Sequence, residues 1–389
     1  MNLNSQVVMI THARFHSFDL AAQLQKAGRL AAVYTGYPKF KLRDTGIDPR
    51  LIRSFPWFQV PFHALTRLPF VSQNWFRSWN WHGGEALNRY AARTLPECGL
   101  VTALSGSGAR AGAVIKACGG VYVCDRGSTH IEWVERELAR EYDALGLKWA
   151  GMDPRPTANE CREYALADAI TVPSQFVRRT FVEMGVPGAK VHVVPYGVDL
   201  AVFRPAAERA SNFRVLFVAQ LSVRKGLHYL LDAFARAALP DAELVLAGSH
   251  TPDTDFLLRR GPMKNVTWLG PLPRAGVVRE MSRASVLVLP SIEEGMAMVQ
   301  AQALACGCPV ISTVNAGAED LFTDGREGFI VPPRDVDALA ERMTRLYRDP
   351  KLRVAMGAAA LARVKALGGW DSYGRQSLAL FDALMQRAA

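Results

Sequence analysis

Short apolar runs recur along the chain, separated by segments of helical character. They read VVMIT (7–11), GLVTALSG (99–106), GVYVCD (120–125), DAITVPS (168–174), FRVLFVAQL (213–221), AELVLAGS (242–249), SVLVLPS (285–291) and CPVIST (308–313). Strand-like runs alternating with helices predict parallel α/β sheets, which bind ligands at the carboxyl ends of their strands. The turn Pro195–Gly197 ends the first half, and a new strand begins at Phe213 after FRPAAERASN. The chain therefore divides near residues 199–212. The closing segment, WDSYGRQSLALFDALMQRAA (370–389), predicts an amphipathic helix. No fixed-period repeat or low-complexity tract interrupts the pattern.

The densest chemistry lies in SIEEGMAMVQAQALACGCPVIST (291–313). The strand SVLVLPS exits into IEEG, a helix is expected from about Met296 to Cys306, and Gly307 suits its left-handed stop. Gly295, Met296 and Ala297 then offer free backbone N–H groups at a helix N-terminus, a cradle for a diphosphate. Glu294 stands beside whatever that diphosphate carries. A second anion element is FVAQLSVRKGLHYLLDAF (217–234), where Arg224 and Lys225 occupy the loop between a strand and a helix. Two cations at a sheet mouth can neutralise a pyrophosphate leaving group.

Charge adds a preference for anions. The net charge is +10, and residues 1–100 hold 12 Lys+Arg against 5 Asp+Glu. That balance suits a phosphorylated ligand, an anionic lipid or nucleic acid. Within it, residues 55–81, FPWFQVPFHALTRLPFVSQNWFRSWNW, carry four of the eight tryptophans beside Arg67 and Arg77. This composition fits either a membrane-interface surface or an aromatic insertion packed into the domain core. No apolar run reaches the ~18 residues of a membrane span. MNLNSQVVMITHARF predicts a first buried strand and not a secretion signal. The six cysteines show no paired zinc spacing and predict structural thiols in a reducing cytoplasm.

Two further motifs compete for a role. In VTALSGSGARAGAVIKACGGVYVCD, Gly106, Gly108 and Ala111 fit GxGxxA, and Asp125 ends the next strand. Such a unit can bind a dinucleotide, which makes an NAD-dependent oxidoreductase the rival reading. It sits a hundred residues into the chain, whereas such a fingerprint usually opens a domain. Asp253-Thr-Asp255 matches a DxD metal clamp, but within SHTPDTDFLL it is expected to be a helix entry capped by Asp253.

The segment Glu294-Gly295-Met296-Ala297-Met298, followed by Gln302-Ala303-Leu304-Ala305-Cys306-Gly307, resembles the E-x7-E motif of retaining nucleotide-sugar glycosyltransferases of family four. The resemblance extends through FVAQLSVRKG, VPSQFVRRTFVEMGVPGAKVHVVPYGVD, VTWLGPLPRAGVVREMSRASVLVLPS and NAGAEDLFTDGREGFIVPP, and is dense from about Ala165 to Pro333. It implies a GT-B fold with two Rossmann-like domains facing a cleft. Residues 1–198, rejoined by 369–389, would bind the acceptor, and residues 199–368 the donor. By the same resemblance, Lys225 contacts the donor diphosphate, Glu294 the transferred sugar, the residue at Gln302 the ribose, and Gly270 and Leu272 the nucleobase. It implies a retaining, metal-independent transfer with no cofactor beyond the nucleotide-sugar co-substrate. The acceptor would be a glycan or lipid-linked, as in surface polysaccharide or lipopolysaccharide synthesis at the inner membrane face. No nucleic-acid partner is implied.

On the acceptor side, VYVCDRGSTHIEWVEREL gives a strand end, a polar loop and a helix. Thr129 and Glu132 fit a capping box that would set His130 in the first helical turn, facing the cleft. His130 and Arg126 are therefore candidates for holding the donor sugar, acceptor or a phosphate. His12, Arg14 and His16, after the first strand, are further acceptor-side candidates. The chain departs from the motif at Gln220, where the family often has an arginine and Arg224 can compensate, and at Gln302. A carboxylate accepts from both ribose hydroxyls, whereas an amide accepts from one and donates to the other. The difference is about 1–2 kcal/mol, so the site is weakened and not abolished; the alternative is a sugar-nucleotide-binding relic without turnover. Gln302→Glu is expected to keep turnover within about tenfold of the parent; a dead variant would remove Gln302 from the ribose.

Overall fold

The computed structural model describes residues 5–12, 14–58, 60–61, 73–206, 210–258 and 263–388. The apolar runs form two parallel sheets. The first contains β1 Val7–Thr11, β2 Leu30–Thr35, β3 Ile52–Ser54, β4 Leu100–Leu104, β5 Val121–Asp125, β6 Ala169–Val172 and β7 Val191–Val193, ordered β3-β2-β1-β4-β5-β6-β7. The second contains β8 Arg214–Val218, β9 Glu243–Ala247, β10 Val266–Gly270, β11 Val286–Leu289, β12 Val310–Thr313 and β13 Gly328–Val331, ordered β10-β9-β8-β11-β12-β13. Each order reverses once, between β1 and β4 and between β8 and β11, and a crevice opens at that reversal above the carboxyl ends. Valine and isoleucine dominate the buried strands; Val8, Val101, Val123, Ile170, Val288 and Ile311 are fully enclosed.

Several helices start where a side chain satisfies one of their first N–H groups. Asp153 accepts from Arg155 N before helix Pro154–Leu166, and Ser174 accepts from Val177 N before helix Gln175–Glu183. The terminal helix Trp370–Ala388 packs along helix His16–Lys26 of the first sheet. The crossing is close: a Cβ on Gly374 would lie 2.5 Å from Cβ of Gln23. Arg29 Nη2 meets Asp382 at 2.6 Å and Lys26 meets Asp371 at 3.2 Å across the same contact. No helix among the described residues is long and apolar enough to cross a membrane.

The glycine loop after β4 corrects the dinucleotide reading. The N–H groups of Gly106, Gly108 and Ala109 all donate to the Glu163 carboxylate, at 2.8, 2.9 and 2.9 Å. The helix N-terminus that would cradle a pyrophosphate already holds an internal anion. Burial pushes the Glu163 carboxyl up to about 7, against the pull of those three donors. Gly108 and Gly112 are glycines because Tyr122 packs on them; a Cβ would lie 2.1 Å from its hydroxyl at the first and 2.6 Å from its ring at the second. Asp125, the candidate ribose partner, accepts from Thr171 Oγ1 at 2.9 Å and pairs with His16 Nε2 at 2.5 Å.

The DxD pair is likewise committed elsewhere. Asp253 accepts from Tyr142 Oη at 2.7 Å and Val223 N at 3.0 Å, and Asp255 bonds His250 at 2.6 Å. Asp253 lies inside the short turn Pro252–Thr254, with Thr251 and not Asp253 at the cap position.

Glu163→Ala removes the partner of three backbone donors and is expected to cost at least about 2 kcal/mol in urea unfolding. NAD should leave the melting temperature of both forms unchanged; stabilisation by NAD would restore the fingerprint.

Candidate active site

The two sheets direct their carboxyl ends at one another. On the C-terminal side, β11 ends at Leu289 and the chain bends at Ile292 and Glu293 before it reaches Glu294. Thr313 Oγ1 donates to Ser291 O at 2.7 Å, Asn315 Nδ2 to Ile292 O at 2.8 Å, and Ile292 N to Arg224 O at 2.9 Å. Ile292 and Glu293 are enclosed, and Glu294 emerges with 15% of its side chain exposed. The loop after β8 lies directly against this segment. Gly226 adopts φ +69°, and a Cβ there would stand 2.0 Å from Pro290 O.

This proximity brings two cations onto two carboxylates. Arg224 Nε meets Glu293 Oε2 at 2.7 Å, its Nη2 lies 3.5 Å from Glu294 Oε1, and Lys225 Nζ pairs with Glu294 Oε2. Burial, and then the neighbouring Arg224, pull the Lys225 ammonium down to about 7, with Glu293 opposing.

On the N-terminal side, β1, β4 and β5 end in His12, in Ser105–Ser107 and in Arg126–Ser128. The pairing Leu104↔Asp125 and Asp125↔Thr171 keeps these ends level. His12 Nδ1 hydrogen-bonds Ser107 Oγ. Arg126 donates from Nε to Thr129 O at 2.9 Å, from Nη1 to Ser105 Oγ at 3.1 Å, and to Glu160. Between the two sides lies a cavity of about 630 Å³, faced by His12, Ser105, Arg126 and Glu160 on one side and Arg224 and Glu294 on the other.

Glu293 joins the halves. Its Oε1 accepts from Ser128 Oγ at 2.5 Å, Thr129 Oγ1 at 2.7 Å and Thr129 N at 3.2 Å, while Oε2 holds Arg224. These partners hold the fully buried carboxyl down at about 2 although burial pushes it up, Arg224 contributing most. Nearby, Gly295 approaches the other domain so closely that a Cβ would meet Gly127 O at 1.9 Å. A second tie lies further out. Buried Glu141 bonds His228 at 2.9 Å, Tyr229 at 2.8 Å and Arg334 at 2.6 Å.

The structure thus gathers Glu294, Arg224, Lys225, Arg126 and His12 about one cleft. Other expected residues lie elsewhere. His130 is 3% exposed, with its ring against Tyr164 and Phe181 and Nδ1 accepting from Glu132 N at 3.3 Å. It is the helix cap itself, outside the cavity lining, and burial, followed by Arg126, pulls it down to about 4. The expected Thr129 capping box does not form, because that hydroxyl serves Glu293. His16 is buried against Asp125 and stacked on Tyr196 at 4.2 Å. Arg14 lies on the surface, with Lys41 O at 3.0 Å and Asp44 as partners.

Around the predicted cradle, the helix spans Met298–Ala305, and Ala297 N already donates to Ala316 O at 3.2 Å, so it is not free. Gln302 is half-buried on this helix. Its neighbour Gln300 is enclosed and donates to Ala316 O at 2.7 Å. Gly270, at φ +71°, ends edge strand β10, Leu272 follows it, and neither lines the cavity. Among the described residues, His130, Glu132 and Cys161 bring ligand-type atoms within 4.8 Å, but around the buried helix cap and not on the cavity.

Sequence reasoning passed over Glu293 and Glu160. The doublet Glu293-Glu294 at a strand exit carried a usable signal, since it sets two adjacent carboxylates at a sheet mouth that also carries the Arg224-Lys225 pair. Glu160, on a helix distant in sequence, carried none.

Two Rossmann-like domains facing a cleft, with these groups at their carboxyl ends, constitute a GT-B architecture. The chain belongs to the group 1, family four glycosyltransferases: the profile described as Glycosyl transferases group 1 matches residues 202–363, and that described as Glycosyltransferase Family 4 matches residues 130–202. Similar solved structures include a sucrose-phosphate synthase from Thermosynechococcus elongatus, with TM-score 0.72, 22% identity, and 98% of this chain and 100% of that one covered. Anabaena HepE in complex with UDP and glucose gives TM-score 0.70 at 17% identity, covering 97% and 100%. A D-inositol 3-phosphate glycosyltransferase of Kribbella flavida is 33% identical over 220 residues, 51% of this chain and 52% of its own length. A GDP-mannose-dependent monoacylated alpha-(1-6)-phosphatidylinositol monomannoside mannosyltransferase of Corynebacterium glutamicum is 31% identical over 231 residues, 54% and 60%. The chain thus spans about half to three-fifths of the length of these curated relatives.

A carboxyl depressed in the folded state stabilises the fold above its unfolded value and loses that contribution as pH falls through the folded value. For Glu293 the window runs from about 4.5 down to about 2. Acidification from pH 6 to pH 3 is therefore expected to lower the melting temperature of the parent more than that of Glu293→Gln. Equal losses would mean that Glu293 is not the depressed group.

Proposed function

We propose that the chain transfers a sugar from a nucleoside-diphosphate sugar to a glycan or lipid-linked acceptor, retaining the anomeric configuration without a metal ion. The observation that carries this reading is the arrangement of Arg224, Lys225 and Glu294 at the mouth of a cavity faced by both domains. An arriving diphosphate exchanges places with Glu294 beside Lys225. That frees the carboxylate to accept from sugar hydroxyls, while the two cations take the charge that develops on the departing diphosphate. The binding exchange replaces one anion with another, so the buried ammonium is never left unpaired.

The acceptor hydroxyl attacks the anomeric carbon from the side on which the diphosphate leaves. Its proton passes to a diphosphate oxygen as the carbon–oxygen bond to the phosphate breaks. Of the acidic side chains in the acceptor-side lining, Glu160 is bound to Arg126 and Tyr164 and Glu85 to Arg110, which favours the same-face route over a covalent intermediate on the enzyme. Arg224 and Lys225 supply the positive field that a metal gives other transferases. The basic first hundred residues and Trp57, 73% exposed, support work beside an anionic membrane at its cytoplasmic face. Residues 62–72 of the aromatic stretch lie outside the described residues.

A panel of UDP, GDP, dTDP, CMP and NAD tests the donor site through thermal stability. One nucleoside diphosphate at a hundred times its dissociation constant should add ~2.7 kcal/mol, and Lys225→Ala should remove most of that gain. Only the ammonium form of Lys225 attracts a diphosphate. Affinity should therefore be level below pH 7 and weaken as pH rises above it. A flat affinity from pH 6 to pH 9 would take Lys225 out of the site.

A further inference from the structure

The acceptor half of the cavity differs in character from the donor half. Its outer wall is aromatic, built from the turn after β3 and the helix Gln73–Arg93. Trp79 Nε1 donates to Phe58 O at 2.9 Å, which uses up the polar end of the indole. The Phe58 and Trp79 rings lie 5.6 Å apart, and Phe55 stacks near Phe58 at 6.4 Å and on Tyr90 at 5.1 Å. One helical turn beyond Trp79 stand two glycines. At Gly83 a Cβ would meet Phe58 Cβ at 2.9 Å, so the aromatic wall packs directly on the helix backbone. At Gly84 nothing lies within 4 Å, which leaves space beside Trp79 and Trp81.

The charges on this half are internally balanced. Among the described residues lining it, Arg126 is the guanidinium, facing Glu85 and Glu160. Arg126 is nearly enclosed and committed to Thr129, Ser105 and Glu160, and Glu85 is bound by Arg110 at 3.0 Å. Burial lowers His12 below the usual imidazole value. The donor half is the opposite case. Arg224 keeps 37% of its side chain exposed and holds Glu294 only at 3.5 Å, so it has room for an incoming phosphate. A phosphate on the acceptor half would sit beside two carboxylates and face a cation that is already used.

On the reading given under Proposed function, we propose that the acceptor enters this cavity as an uncharged sugar ring with an apolar aglycone, stacked on the wall of Phe55, Phe58 and Trp79. The electron-rich ring faces attract the C–H faces of a pyranose, and an alkyl or aryl aglycone extends the same contact. The cavity, at about 630 Å³, falls in the size range of small-molecule sites, about 300–1,000 Å³.

The test uses the full chain saturated with the nucleoside diphosphate that stabilises it. Octyl glucoside, galactoside and mannoside, below their micelle concentrations, are titrated against the corresponding 6-phosphates by saturation-transfer NMR. We expect one octyl glycoside to bind at least tenfold tighter than its sugar 6-phosphate, with little dependence on salt. Trp79→Ala should weaken that binding at least fivefold and leave the shift with nucleoside diphosphate unchanged. Because Trp79→Ala also cuts a hydrogen bond, Gly84→Leu serves as a second variant. It places a side chain in the open space, strengthens the helix and should weaken the glycoside without lowering the melting temperature. A 6-phosphate that binds tighter and loses affinity in salt overturns the proposal. So does an octyl glycoside whose binding ignores both variants, or binding of nucleoside diphosphate with no glycoside bound. Failure of every nucleoside diphosphate to stabilise the chain overturns the parent reading instead.

Discussion

A carboxylate buried where two domains meet is costly unless every lone pair finds a partner, and the junction of the two domains is organised around meeting that demand at Glu293. One oxygen is satisfied from within its own domain by Arg224, the other by Ser128 and Thr129 of the opposite domain. The loop that carries Arg224 and Lys225 and the loop that carries Ser128 and Thr129 are therefore held by the same side chain. Gly295 permits the backbones to come close enough for this, since any side chain there would strike Gly127.

The same physics is used differently at the first sheet. A glycine loop leading into a helix offers N–H groups to an anion, and here Glu163 of the chain itself fills the place. Asp125 is taken by His16 and Thr171, and Arg126 by Ser105, Thr129 and Glu160. The polar groups at the ends of β1, β4 and β5 thus satisfy one another and make a stiff floor. In the second domain Arg224 lines the cavity and Lys225 stands behind Glu294, each paired with a carboxylate.

The helix Trp370–Ala388 secures the arrangement from behind. Tyr373 lies against His16 and Tyr196, with ring centres at 6.1 and 5.8 Å, where the chain passes from the first domain to the second. The aromatic cluster ties the helix His16–Lys26, the crossing segment and the returning helix together.

The sequence by itself determined the α/β class, eight of the thirteen strands found among the described residues, and the loops that carry Arg224, Lys225 and Glu294. Those features depend on local periodicity, on glycine at tight turns and on the contiguous motif from Glu294 to Gly307. It also exposed Arg126 and His12 as strand-end groups. Tertiary structure decided which of the candidate groups share a cavity. His130 and His16 have the chemistry of cleft residues, yet packing encloses one against Tyr164 and Phe181 and the other against Asp125 and Tyr196. Glu163 reaches the glycine loop from more than fifty residues away, and Glu293 reaches Thr129 from the other domain. A burial partner supplied by a distant segment leaves no mark on local sequence, so whether a polar side chain serves a ligand or the fold was settled only when the chain closed on itself.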